Sequence, residues 1–166
     1  MDRKRNTFIK EKGRWLVLGF ALPIIVLVIA YGLIGIYPGS EKSIMASDSF
    51  SQLGNFFASY NTMLKGEESI FYTWYASFGL NYWSLISYYL GGVFTPLVYF
   101  FDNQQIPEFL YFLTLLKFGC SGLAFCYYSL ETFKLPKWGH VGLSISYSLM
   151  GFGLAFSEMV MWLDTF

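Results

Sequence analysis

Asp48 has the most chemistry within reach. It sits in Ala46-Ser47-Asp48-Ser49-Phe50-Ser51-Gln52, roughly ten residues past a long apolar run. A carboxylate just outside a membrane can serve as general base toward an acceptor hydroxyl. It can equally ligate a divalent ion through oxygen. The same residue also has a structural use, because a negative charge beside a helix N-terminus favours the positive end of the helix. Both readings stand at the level of residue types. Lys117, in Thr114-Leu115-Leu116-Lys117-Phe118-Gly119, is a cation inside an apolar run. Charged groups within a span are costly and face a protein interior or a water cavity. Lys117 falls ~12 Å along a helix from Phe109, deep enough that snorkelling to the surface is strained. A lipid phosphate or a carboxylate is its expected partner. Glu158 and Asp164 fall near the outer face, where a solvated acid and a substrate contact fit equally. Gln52 reads as the far end of a capping box and as a substrate-binding candidate.

Other chemistry is poorly supplied. Cys120 and Cys126 are six residues apart, about 600° of helical rotation, so they point to different sides. They read as small buried hydrophobes rather than a disulfide or a zinc pair. The single His140 excludes most His-based metal sites, and leaves Asp48 as the candidate ligand if a metal binds.

These residues are carried by a membrane chain. Hydrophobic residues make up 55% of it and charged residues 13%, against about 25% charged in soluble domains. Mean hydropathy is +0.45. Aromatics reach 22%, as suits a chain that crosses membrane interfaces. Tyr88-Tyr89 and Tyr127-Tyr128 read as interfacial anchors. Zero net charge gives no bulk attraction to nucleic acid.

Residues 1–14 form a basic tail with Arg3, Lys4, Arg5, Lys10, Lys12 and Arg14. Trp15 to Tyr37 then runs 23 residues without a charge, enough to span a bilayer. The run is too long for a signal peptide and lacks a small-residue cleavage site. The basic tail places the N-terminus in the cytoplasm. Phe50, Leu53, Phe57, Tyr60 and Leu64 then recur at helical spacing. Ser49 and Gln52 form the S-x-x-Q capping pattern, and Lys65-Gly66 the end of the helix. This predicts an amphipathic helix lying along the membrane surface.

Residues 83–101 are apolar but broken by Gly91-Gly92 and Pro96. If they span, the Lys134/Lys137 loop falls outside; if they do not, it falls inside. The positive-inside rule favours the second arrangement. The expected layout is a cytoplasmic tail 1–14, spans 15–37, 109–130 and 141–160, an extracytoplasmic loop 38–108 with interfacial or re-entrant helices, a cytoplasmic loop 131–140, and the start of a second outer loop at 161–166. A four-span layout is the alternative. Gly119, Ser121, Gly122 and Ala124 would let another helix approach closely. The chain reads as the N-terminal piece of a longer protein, inactive by itself.

An ordered set of segments carries a resemblance. Ser47-Asp48 through Gln52, Gly66, Ser69 to Trp74, Gly79-Leu80-Asn81, Ser87 to Leu90, Phe94-Thr95-Pro96-Leu97, Leu115 to Gly119 and Met161 to Asp164 together resemble the N-terminal part of the bacterial YfhO family. The resemblance implies an all-α membrane protein, GT-C-like in its N-terminal part. It further implies a polytopic, multi-pass glycosyltransferase of the bacterial plasma membrane. Such an enzyme takes sugar from a polyprenyl-phosphate carrier and delivers it to a cell-envelope glycopolymer of the teichoic-acid type. Its partners are then that lipid-linked donor, the acceptor polymer and membrane lipids. Enzymes of this type place an acid near the start of the first outer loop, and Asp48 occupies that position. Lys117 would bind the carrier phosphate. The turn at Phe94-Thr95-Pro96 is mostly aromatic here and is assigned no role. A transporter or permease subunit is the alternative function, since Lys117 and Glu158 would serve a transport path as well. A non-catalytic membrane scaffold, with Asp48 only a cap, is a third.

Overall fold

The computed structural model describes residues 2–76 and 78–165, with side chains from Lys12 onward. The chain divides into two units. One holds residues up to Leu33 together with Leu115–Ala155, the other Ile34–Thr114 with Phe156–Thr165.

Two long helices dominate. Helix α1 runs Asp2–Leu33 and takes in the basic tail, whose side chains up to residue 11 lie outside the described ones. It ends four residues before the expected Tyr37, because Gly35 turns the backbone left-handed at φ 84. Helix α4 runs Ile106–Thr132. It starts earlier than the expected 109, behind a reciprocal capping box between Asp102 and Gln105. Pro107 falls in its first turn, where a missing N–H costs nothing. Lys12–Leu33 and Asn103–Thr132 are both long and apolar enough to cross a membrane.

The expected third span, 141–160, does not form as one helix. Helix α5 covers Lys137–Ser148, the chain turns at Leu149–Met150, and α6 covers only Gly151–Ala155. Twelve residues reach about 18 Å. Gly151 and Gly153 weaken continuation of the helix.

In the first unit, glycine lets α1 and α4 touch. A Cβ on Gly19 would lie 2.7 Å from the Cβ of Cys126. A Cβ on Gly122 would overlap the carbonyl oxygen of Gly19, and one on Gly119 would lie 2.6 Å from Cδ1 of Ile24. The small-residue expectation at 119 and 122 is met by this close crossing. The helices run antiparallel, with Lys12 Nζ 2.6 Å from a Glu131 carboxylate oxygen at one end. Helix α5 joins them through buried hydroxyls. Ser144 donates to the Gly122 carbonyl and lies 3.4 Å from the Gly19 carbonyl oxygen, and Ser148 donates to the Phe118 carbonyl at 2.6 Å. His140 is buried between Ser129 and the Leu135 carbonyl, a structural arrangement. Cys120 and Cys126 are both free thiols, and Cys126 is fully buried.

The second unit is built on α2, Gly54–Leu64, which begins as a π-helical turn over Ser49–Leu53. Leu53, Phe57 and Tyr60 are buried as expected, but Phe50 is 73% exposed. The wider π turn rotates Phe50 off the stripe that an α-helix would extend to it. The end of the helix matches its reading: Gly66 takes φ 80, and the Glu67 N–H reaches back to the Thr62 carbonyl. Against α2 pack Leu85 and Leu90, Val98, and Phe109, Leu110 and Leu113 of α4. The Phe57 and Phe109 ring centroids are 5.3 Å apart. A two-stranded hairpin precedes this layer, β1 Tyr72–Thr73 with β2 Leu80–Asn81 in antiparallel register. After it come α3, Tyr82–Leu85, a π turn Ile86–Leu90 and a 3-10 turn Thr95–Phe100, broken at Gly91-Gly92. Neither helical piece of 83–101 has the length to span a bilayer alone.

Candidate functional site

Asp48 occupies the first position of the helical segment, and its neighbours fix it there by unusual means. Ser47 has φ 46, the one positive φ outside glycine among the described residues. Left-handed backbone at a non-glycine costs energy and tends to gather where function needs it. Ser49 is buried, and its hydroxyl both accepts from Ala46 N–H and donates to Ala46 C=O, each at 2.7 Å. Ser51 donates to the Ser47 carbonyl at 3.2 Å. Asp48 itself makes no side-chain cap. Asp48 stands at the N-cap position, where its charge favours the helix N-terminus, but it makes no cap hydrogen bond, and the Ser49–Gln52 capping box does not form. The reason is that Ser49 spends its hydroxyl on Ala46. Asp48 is exposed, a carboxylate open to solvent behind a strained residue.

Gln52 turns to a different partner. Its carbonyl oxygen accepts from the Tyr89 hydroxyl at 3.4 Å, and the Tyr89 ring rests 4.9 Å from that of Phe56. Asp164 lies in a 3-10 turn, Val160–Thr165. A Cβ on Gly92 would sit 2.6 Å from Asp164 Oδ2 and 3.1 Å from Thr95 Oγ1. Asp164 thus lies against Gly92 and Thr95, beside the Phe94-Thr95-Pro96 turn that was assigned no role. Gly91-Gly92 was the available signal, since paired glycines mark a close approach. Glu158 is half-buried in the turn before Val160. These four residues belong to the second unit, whereas Lys117 belongs to the first. Lys117 is 5% exposed in the body of α4. Among the described residues, no three His, Cys, Asp or Glu groups gather as a metal ion would require.

One titration marks the frame beneath the site. Tyr82 is buried, and its hydroxyl lies 3.2 Å from Ser59 Oγ. Burial pushes its pKa up to about 12 against a lowering by that hydrogen bond, and the charge of Glu68 adds to the rise. The folded state thus holds the proton more tightly than the unfolded chain. Stability is fully present below about pH 10 and is expected to fall as pH climbs toward about 12. Tyrosinate absorbance followed beside circular dichroism checks this, and Tyr82→Phe should flatten the loss.

The fold is mostly helical, with two helices long and apolar enough to span a membrane. Residues 19–166 match the family described as bacterial membrane protein YfhO. The chain belongs to the YfhO family. No curated protein and no solved structure matches it.

Proposed function

We propose that this chain forms the catalytic entrance of a polytopic membrane glycosyltransferase. Sugar would pass from a polyprenyl-phosphate carrier to a hydroxyl of an extracytoplasmic envelope polymer. The observation that carries the reading is Asp48: an exposed carboxylate without a cap to make, held behind the strained Ser47. In the transfer, the acceptor oxygen attacks the anomeric carbon. The bond from that carbon to the carrier phosphate breaks, and the phosphate leaves with the electron pair. The acceptor proton goes to Asp48. Gln52 and Asp164, polar groups of the same unit, are the candidates for holding sugar or acceptor hydroxyls, with Glu158 nearby in sequence. Lys117, in the first unit, is a separate candidate for binding the carrier phosphate. Lys117→Met is expected to raise KM for the lipid-linked donor about tenfold, worth ~1.4 kcal/mol. An unchanged KM in a steady-state assay of the intact protein would remove that role.

The reading requires Asp48 to face outward. The Lys12–Glu131 contact supports it, because the basic tail and the 131–140 loop then share one side. Both carry the basic residues that the positive-inside rule assigns to the cytoplasm. The exposed rings of Phe71, Trp74 and Phe78 suit a loop that rests on lipid. A Leu135→Cys variant should stay unlabelled by a membrane-impermeant thiol reagent in intact cells. Strong outside labelling would overturn this topology, and the outward site with it.

A further inference from the structure

The segment that leaves α1 folds back on itself and holds a lysine in place. Ser40 N–H donates to the Tyr37 carbonyl at 3.0 Å, and Ser40 Oγ to the Lys42 carbonyl at 2.6 Å. Lys42 Nζ donates to the Ile34 carbonyl at 3.0 Å. An ammonium has three donors, so Lys42 is anchored with capacity to spare. This segment and the first turns of α4 line a shallow, half-open cleft, bordered by Ile36, Tyr37, Lys42, Pro107, Glu108 and Tyr111 among others. All of these residues belong to the second unit.

Glu108 supplies the second charge. Its Oε2 is buried and has no hydrogen-bond partner. A buried acceptor left unmatched is costly, more so when charged. Lys42 and Glu108 line one pocket yet form no ion pair with each other. Opposite charges that share a pocket without meeting suit a ligand that carries both.

We propose that this pocket binds an aminoalcohol phosphate headgroup of the phosphoethanolamine kind. The primary ammonium donates to Glu108 Oε2, and the phosphate accepts from Lys42 Nζ. A primary ammonium is required because Oε2 needs an N–H donor, which a quaternary ammonium lacks. The exposed ring of Tyr37 supplies a face for the cation and the two methylenes. The pocket follows the end of α1 and precedes the body of α4, the two helices apolar enough to span. In sequence this falls where a chain leaving one span and entering the next would meet lipid headgroups. A lipid or a soluble phosphate ester could present the same chemistry.

The test titrates the intact protein, purified in detergent, with O-phosphoethanolamine, phosphocholine and inorganic phosphate by calorimetry. Phosphoethanolamine should bind at least about tenfold tighter than the other two. Glu108→Gln, which preserves shape, should remove that preference and leave phosphate binding unchanged. Glu108→Asp, which keeps the charge one methylene shorter, should weaken phosphoethanolamine as well. Lys42→Met should weaken all three probes. Equal binding of phosphocholine, or full phosphoethanolamine binding by Glu108→Gln, overturns the proposal. If the soluble ester does not bind, native mass spectrometry from nanodiscs of phosphatidylethanolamine and phosphatidylglycerol decides the lipid form. Retention of phosphatidylethanolamine by the wild type, lost in Glu108→Gln, supports the proposal. No preference between the two lipids overturns it.

Discussion

Asp48→Asn is expected to lower sugar transfer by the intact protein by about 10²–10⁴-fold, the usual contribution of a positioned general base. Insertion and folding should be unchanged. The amide matches the carboxylate in size but cannot take up the acceptor proton. Loss of a cap hydrogen bond is not available as an explanation, because the Asp48 side chain makes none, and Asn suits an N-cap position as well as Asp. Nor does the substitution touch the Ser49–Ala46 and Ser51–Ser47 bonds that set the local backbone. A transfer assay with polyprenyl-phosphate sugar, run beside a protease-resistance measurement, separates chemistry from folding. Transfer within a few-fold of wild type would remove Asp48 from the catalytic role.

The second large effect is expected at Gly122. Gly122→Leu should abolish the packing of α1 against α4, because the new side chain must occupy the space of the Gly19 carbonyl and of Pro23 Cγ, 3.0 Å from the Cβ position. Overpacking an ordinary core costs about 1–3 kcal/mol. Here the obstacle is backbone, which cannot swing aside. Gly119→Ala is the control. Its nearest neighbours are the ends of the Ile24 and Phe20 side chains, which can adjust, so it should be mild. Thermal unfolding in detergent, read by protease resistance, should rank Gly122→Leu far below Gly119→Ala. Equal stability of the two would mean that the helices do not cross at Gly122.

The contrast between these two positions shows where the sequence is readable. Small residues at 119 and 122 announce a helix contact through their spacing, and the apolar runs announce both long helices. Gly66 announces the end of α2, since a left-handed C-cap has few other occupants. What the pattern hides is backbone detail that several residues decide jointly. Ser49 looks like a cap, yet its hydroxyl is taken by Ala46. The resulting π turn carries Phe50 out of the stripe. The capping box exists, but at Asp102–Gln105. The 141–160 run has the length and hydropathy of a span, and periodicity does not register that it is broken at Leu149–Met150. At the site, residue type and position single out Asp48. The strain at Ser47, the Tyr89 contact to Gln52 and the approach of Asp164 to Gly92 arise from packing between segments distant in sequence.

The hydroxyls of α5 bear on the order in which the chain assembles. At about 18 Å, α5 is too short to cross a hydrocarbon core of about 30 Å unaided. Ser144 and Ser148 find their acceptors on Gly122 and Phe118, with the Gly19 carbonyl also beside Ser144, carbonyls that belong to the two helices made before it. α1 and α4 lying side by side give α5 a place to put these groups, which favours their pairing first during synthesis. The N-terminal hairpin acts as a template for what emerges next, and a fault at the glycine crossing would be inherited by every later segment that docks there.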